Sequence, residues 1–501
     1  MKNYMSSLND FEEKLKQFSL ESKLEVCRKI AHTLTYNLSP LQPLTIFDNP
    51  QQDKIFDELY RSSHLFEIEY IALASTVNGE WKSELKKFDD FNVFCQIINI
   101  YKDIEVAPKN KPIDDLEWVM TFHRMGLQQH GNPKLPYGNL RRYDYLFNFS
   151  NEHINMKEIF KEHFIFSFTD YVLLMYAIFA LSAHQNIPLD ENSVIKSLSE
   201  VPVLKGINVK LMLDILSTDR EEIMKLHNKN KNKDRKFRIY DYNPYSKYPL
   251  LKHNGKFLIP IPQYLFSAIT EGFYHQLCEI IGITFREDFG KNVFENCVDE
   301  ILNWYKSDYT IIPEFPYGRK GGEKSPDYIL VKNNELIFIE IKGTTPKIKL
   351  RGNDPKVFKE QLLKGFGVGV KQCLKKEQDL INKVLKHPSL PNNIENIYYI
   401  VVVLEDFYIP PGKPVDNYIK EYCSKHKINY NEKRKPMMIS VSLLESILEE
   451  YDGGIFDFMK VWSNDPLIKF PGTYIDYTKV NIKELRSHKY WVDTYKNARS
   501  K

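Results

Sequence analysis

The sequence predicts an α/β protein: a core with the element order αβββαβ, preceded by a large all-helical N-terminal part. Three observations predict it. Over the first 235 residues apolar side chains recur at spacings of three and four, the period of an amphipathic helix. Residues 325–344, SPDYILVKNNELIFIEIKGT, read as two apolar strands around Asn333-Asn334. From residue 288 onward, amphipathic helices and apolar strands follow one another in the order named.

Composition sets the frame. The chain has 501 residues, 43% hydrophobic and 27% charged, which allows two or three domains with ordinary cores. A net charge of +3 is only weakly basic, so an argument for nucleic acid has to come from local charge. The six cysteines include no CxxC pair; this suits a reducing cytoplasm and argues against a disulfide framework or a structural zinc. The opening MKNYMSSLNDFEEKLKQF lacks the apolar stretch of a signal peptide. The most hydrophobic run, 171–183, is too short to span a bilayer and reads as a buried helix, so no membrane partner is expected. We divide the chain into a helical part for recognition, partner binding or regulation (1–235), a connector of β-hairpin and helix (236–287), the core (288–450) and a C-terminal extension packed on it (451–501).

In order, the helical pattern covers 9–18, 20–36, 53–75, 91–102, 115–126, 156–163, 169–184, 191–198 and 208–228. Ser19 and Asn208 stand as N-caps. His123 and His130 flank a turn and read as structural. The basic run 226–238, LHNKNKNKDRKFR, reads as a solvated linker, with a phosphate-touching arm as the alternative. Short strands and turns over 238–264 lead into a helix over 264–282. The core begins with a helix over 288–305, carrying Phe294, Val298, Ile301 and Leu302 at core spacing. Next come a strand over 309–315 and a glycine-rich basic loop, 318–324. The 325–344 hairpin follows, then a mostly helical 356–386, an apolar strand at 397–404, a helix at 416–425, a strand at 437–440 and a helix at 443–449. Gly365, Gly367 and Gly369 do not complete a phosphate-binding loop; they mark a break or a tight contact in the second core helix.

The hairpin carries the chemistry. Asn tolerates the positive φ that a two-residue turn requires, and counting outward from that turn sets Lys332 opposite Glu335, Ile329 opposite Phe338, and Asp327 opposite Glu340. Lys342 falls on the same face as Glu340, one pleat on. Two facing carboxylates repel unless one is protonated or a cation lies between them. A divalent ion would relieve the conflict, and hard oxygen donors suit Mg²⁺, with Mn²⁺ as a substitute. The bland alternative is an Asp–Lys ion pair and a surface Glu at the end of an ordinary hairpin.

Pro326-Asp327, a spacer, then Glu340-Ile341-Lys342 resembles the PD-(D/E)XK motif of the restriction-endonuclease-like nuclease superfamily. The element order over about 288–448, roughly a third of the chain, is similar to the shared core of that family. The resemblance implies a metal held by Asp327, Glu340 and the carbonyl of Ile341, with Lys342 positioning the attacking water. It implies a further acid from the first core helix, where GKNVFE (290–295) offers Glu295; Glu287 and Glu300 are weaker candidates. Gln372 resembles a glutamine found on the second core helix in several branches, although the tyrosine expected four residues on is replaced by Lys376. The implied activity is Mg²⁺-dependent hydrolysis of DNA phosphodiester bonds, leaving a 5′-phosphate. The architecture is similar to bacterial anti-phage or mobile-element defence nucleases, with a homo-oligomer or a second defence protein as partner.

Local charge agrees with a polyanionic substrate. From Arg319 to Lys376 there are fourteen Lys or Arg against six Asp or Glu. Arg319, Lys320 and Lys324 precede the motif and Lys347, Lys349 and Arg351 follow it, the distribution expected of a phosphate-binding surface. Tyr317 offers a ring for base stacking. The alternatives from another class are a non-catalytic nucleic-acid-binding or scaffold subunit with the same fold, or a nuclease directed at RNA or at transposon ends.

Overall fold

The computed structural model describes residues 4–35, 46, 64–80, 85–105, 115–129, 137–184, 190–306, 308–351, 354–464, 489, 493 and 496. The protein is mixed α/β, with helices on both faces of a five-stranded sheet. After helix α1 (Glu295–Trp304) come strands β1 (Thr310–Pro313), β2 (Tyr328–Lys332) and β3 (Glu335–Lys342). Helix α2 (Val368–Ile381), strand β4 (Asn396–Val403), helix α3 (Lys413–Lys425), strand β5 (Met437–Ser440) and helix α4 (Val441–Glu450) complete this region. Across the sheet the order is β5-β4-β3-β2-β1. The two hairpin-side pairs are antiparallel, whereas β3 with β4 and β4 with β5 are parallel. Parallel neighbours need a long crossover, and α2 and α3 lie in those two connections.

The hairpin register is the one counted from the sequence: Lys332 faces Glu335 and Ile329 faces Phe338. Asn333 takes the positive φ, 52°, that the turn demands. Both faces are covered. Ile329, Val331, Leu336, Phe338, Tyr399 and Val401 pack against Phe366, Val370, Cys373 and Ile419 of the crossover helices. Tyr328, Leu330, Ile337, Ile339, Ile400 and Val402 pack against Val298, Ile301, Leu302, Leu444 and Ile447. Burial on two faces explains why these strands read as continuous apolar runs. Each such side chain contributes on the order of 1.5–3 kcal/mol by leaving water.

Packing does not stop at the boundary drawn between residues 235 and 288. The cluster on the α1 face continues without a gap into Leu140, Phe147, Phe164, Tyr171 and Leu174 of the helical part. That part is also not all-helical, as expected above: Ser217–Asp219 pairs in parallel with Leu250–His253, which pairs with Lys256–Leu258. A three-residue strand has too few positions to show a period. The basic run is not a solvated linker either. It forms the end of a helix, Arg220–Asn230, and a 3₁₀ turn, Arg235–Tyr240. His227 Nε2 lies 2.9 Å from Asp241, and the Asn232 N–H donates to the same carboxylate at 2.7 Å.

Other expectations shift in detail. A helix at Tyr137–Asn148 was not foreseen. The helix expected at 53–75 is Leu65–Val77, with 53–63 outside the described residues. His130 and most of 465–501 also fall outside them. The first core helix is broken into Ile283–Phe289, a π turn Gly290–Phe294, and α1. Within Phe168–Ser182, Tyr171, Val172, Leu174, Met175 and Ile178 are buried in the core. Among the described residues no single helix is long and apolar enough to cross a membrane; a bent pair, Met156–Phe164 with Phe168–Ser182, passes on length and composition alone. All six cysteines are free.

Candidate active site

The C-terminal ends of β3 and β4 open where β1 and β2 meet their loops, and the motif residues gather there. Asp327 directly precedes β2; extending the β2–β3 ladder by one residue sets it across from Glu340. Its Oδ2 accepts the Ile341 N–H at 2.6 Å. Lys342 Nζ donates to Glu340 Oε2 at 3.0 Å and to the Ile341 carbonyl at 3.0 Å. One ammonium is thus gripped by a carboxylate and a carbonyl while a second carboxylate faces it through space.

Burial makes this charge set tense. Glu340 is 1% exposed, and loss of hydration pushes its carboxyl up to about 7 against the pull of Lys342. Burial also raises Asp327, with Lys342 and the Ile341 N–H opposing it. For Lys342 burial works downward, but Glu340 and Asp327 outweigh it and hold the amine above its ordinary value. Glu295, in the first turn of α1, is pushed up to about 7 by burial and then by Asp327 and Glu314. The structure therefore brings Asp327, Glu340 and Lys342 within one another's fields, and Glu295 into the fields of Asp327 and Lys342. Glu300, the weaker candidate, lies instead in the field of Arg141.

Two glycines allow that approach. A Cβ on Gly343, the residue after Lys342, would stand 2.9 Å from the Cα of Gly290. Backbone thus meets backbone where β3 ends and the π turn before α1 begins, which brings Glu295 to the carboxylates. On the other face, a Cβ on Gly369 of α2 would stand 2.7 Å from a Val401 methyl. This is the tight contact read from the glycine spacing, and the break is the π turn Leu363–Gly367.

Could the site hold a metal? Among the described residues no group of three His, Cys, Asp or Glu side chains is near enough to bind one. Two carboxylates, Asp327 and Glu340, plus the Ile341 carbonyl form an all-oxygen set already arranged around a cationic group, the ammonium of Lys342. A hard divalent ion that keeps several waters fits such a set.

The flanking residues divide. Arg319 and Lys320 are exposed, and Lys347 and Lys349 are exposed beyond the end of β3. Lys324 pairs with Glu314 at 2.9 Å. Two expectations need correction. Arg351 is half-buried rather than exposed, its guanidinium reaching the Leu127 carbonyl at 3.4 Å where the 3₁₀ turn Ile348–Arg351 packs on the helix Asp115–Gln129. Tyr317 is not free to stack; it is 6% exposed, with its hydroxyl bonded to Asp379 and Lys376 over its ring. Gln372 sits on α2 with Oε1 buried and unpartnered.

The sequence reading missed Glu314 and Lys376. Pro313 faces Tyr328, so one more step sets Glu314 across from Asp327, in the row that continues to Glu340. Its signal was hidden because β1 and β2 are joined by a loop rather than a tight turn, and no count fixes their register. Lys376 was noted only as a departure from tyrosine. Its ammonium donates to the Lys324 carbonyl and lies in the field of Glu340.

Set against known protein families, curated proteins and solved structures, the chain has no match.

Proposed function

We propose that this chain is a divalent-cation-dependent endonuclease of the restriction-endonuclease-like kind, hydrolysing phosphodiester bonds of DNA. The observation that carries the reading is the convergence of Glu340, the Ile341 carbonyl and Asp327 on the Lys342 ammonium at the end of β3. An ordinary structural ion pair needs only one acid for one base. Here a second carboxylate, Asp327, is added, and burial together with its charge pushes Glu295 and Glu340 each up to about 7. Perturbed groups gathered in one spot are characteristic of functional sites.

Asp327, Glu340 and the Ile341 carbonyl would hold the ion, which when bound supplies Lewis acidity toward the phosphate and the leaving oxygen. The residues then divide the work. Lys342, released from Glu340, orients a water for attack on phosphorus and offers its charge to the oxyanion that develops there. Glu295, near neutrality, is suited to take up the proton that the water loses. The water oxygen becomes bonded to phosphorus and the bond to the 3′ oxygen breaks, that oxygen taking a proton from solvent to leave as a hydroxyl, which gives the 5′-phosphate expected of this chemistry. Lys347 and Lys349, exposed beside the site, supply charge for the backbone. The helical part would serve recognition or partner binding, in keeping with an anti-phage or mobile-element defence role.

The test is cleavage of supercoiled plasmid and linear duplex with Mg²⁺, Mn²⁺ or EDTA. We expect metal-dependent nicking or linearisation, reduced on the order of a thousandfold or more in Asp327→Ala and in Lys342→Ala. Cutting that survives both substitutions would overturn the site. Binding without cutting by wild type would favour the scaffold reading.

A further inference from the structure

Several basic residues that carry no ion pair among the described residues lie together at one place beside the site. Beside the site, Pro316–Tyr317 and Glu323–Lys324 form a short antiparallel ribbon. It is fastened along α2 by three contacts: Lys376 to the Lys324 carbonyl, Lys375 to Glu323 at 2.7 Å, and Tyr317 to Asp379. These fastenings consume the acids nearby, Glu323 and Asp379. What remains at the far end is Arg319 and Lys320 at the ribbon tip, with Lys383 and Lys386 just past the end of α2, all exposed. The two pieces adjoin, since a Cβ on Gly318 would stand 3.9 Å from a Val384 methyl. Among the described residues none of the four cations has an ion pair, and Ile381 and Val384 between them are 69% and 46% exposed.

The ribbon tip is a tight turn. Lys320 and Gly321 hold positive φ, 58° and 69°, and the Gly321 N–H returns to the Gly318 carbonyl. Four exposed cations, unpaired among the described residues, complement a polyanion. Their distance from the chemistry is set by α2. Lys376 lies in the field of Glu340, and the helix runs on from it to Ile381, on the order of 8 Å, before the chain turns at Lys383. Phosphates along one strand of a duplex repeat at about 3.4 Å. The patch therefore reaches phosphates roughly three to six base pairs from the scissile bond.

We infer that Arg319, Lys320, Lys383 and Lys386 form a remote clamp for the duplex flank of the nucleic-acid substrate, distinct from the catalytic residues. The inference rests on the nuclease reading and deepens it, by naming duplex rather than single-stranded nucleic acid as the substrate. A duplex is stiff and delivers its phosphates to a surface at a fixed distance; a single strand is free to turn away. The clamp acts on binding and has no part in the chemical step.

The experiment compares the full-length wild type with R319A/K320A/K383A/K386A and with a control, K205A/K210A, which removes two exposed charges from the helical part. Binding to a fluorescein-labelled 30-base-pair duplex and to one of its strands is measured without metal over a salt series. Cleavage of the same duplex is then followed with Mg²⁺. We expect the fourfold variant to bind duplex about tenfold or more weakly, with a log–log salt slope lower by roughly three. Its single-strand affinity should change about twofold or less, its KM should rise, and its kcat should stay within about twofold. The control should match wild type. An unchanged salt slope, an equal loss for duplex and single strand, or a fall in kcat at constant KM would overturn the clamp while leaving the nuclease intact. Wild type that neither binds nor cuts DNA would overturn both readings, and that outcome is visible before any variant is compared.

Discussion

Strand β3 carries a glutamate near each end, each bonded to a lysine, and the two differ in every other respect. Glu335 lies at the start of the strand. Burial alone would raise its carboxyl, yet Lys460 at 2.9 Å, Asn396 at 3.0 Å and Tyr398 at 3.3 Å bring it below the ordinary range. Glu340 lies at the other end, with Lys342 at 3.0 Å and a facing carboxylate, and it is pushed up to about 7. Their side chains are 12% and 2% exposed. The Glu340 pair is buried, whereas the Glu335 pair is only partly so, Lys460 being 44% exposed; Glu335 is hydrogen-bonded on several sides, while among the described residues Lys342 is the donor to Glu340. A buried pair whose remaining lone pairs are satisfied costs little. One that is not satisfied holds its carboxylate ready for another cation, so on the proposed reading Glu335 is architecture and Glu340 a working group.

The sharpest way to break this contrast is Glu340→Gln. Cleavage should fall on the order of a thousandfold or more, while the metal-free protein becomes more stable near neutral pH. The sign follows from proton binding. A carboxyl raised from 4.5 to about 7 keeps its proton longer in the folded state than in the unfolded one. Stability is therefore fully present below pH 4.5 and declines as pH rises toward 7, by on the order of 2–3 kcal/mol for this group. Thermal melts of wild type between pH 5 and 8 should show that decline, and Glu340→Gln should flatten it. Excess Mg²⁺ should flatten it too, since an ion bound only to the folded protein favours that state. A wild-type melting profile that rises across this range would sink the assignment of Glu340 as the strained group.

A second intervention leaves every charge in place. Gly343→Ala places a methyl 2.9 Å from the Gly290 backbone, which has no flexible side chain to yield. The strand end carrying Lys342 and the π turn before Glu295 must then separate. We expect cleavage to drop by about tenfold to a hundredfold and stability by roughly 1–3 kcal/mol. Activity equal to wild type in a stably folded Gly343→Ala would remove Glu295 from the site.

The smallest effect is reserved for the other end of the strand. Glu335→Gln keeps the shape and some hydrogen bonds but discards the charge, so stability should fall by about 1 kcal/mol with kcat unchanged. Should Glu335→Gln abolish cleavage, the two ends would not differ as described, and the site would have to be sought elsewhere.

Much of the site was legible because a hairpin is a local object. Once Asn333 is placed in the turn, alternation along both strands fixes which residues face each other, and Asp327, Glu340 and Lys342 follow by counting. Glu295 was legible only through a resemblance, since nothing local ties residue 295 to residue 340. Glu314 and the contact of Arg351 with the Leu127 carbonyl were not legible at all, for both depend on partners distant in the chain. The same limit explains why Tyr317 and Lys376 were misread. An aromatic ring among lysines looks the same in sequence whether it is open to a base or capped by an ammonium.

By itself, then, the sequence determined the alternation of elements from residue 288 on, the hairpin register, and the meeting of two carboxylates with a lysine at one strand end. These rest on periodicity and turn geometry, which act over a few residues. The tertiary structure alone decided which charges are satisfied. Lys460 comes 125 residues after Glu335 to quench it, while the close Gly290–Gly343 contact lies where Glu295 comes into the field of Asp327. Burial and electrostatic fields act through space, so the difference between a structural carboxylate and a reactive one is set by folding rather than by spacing.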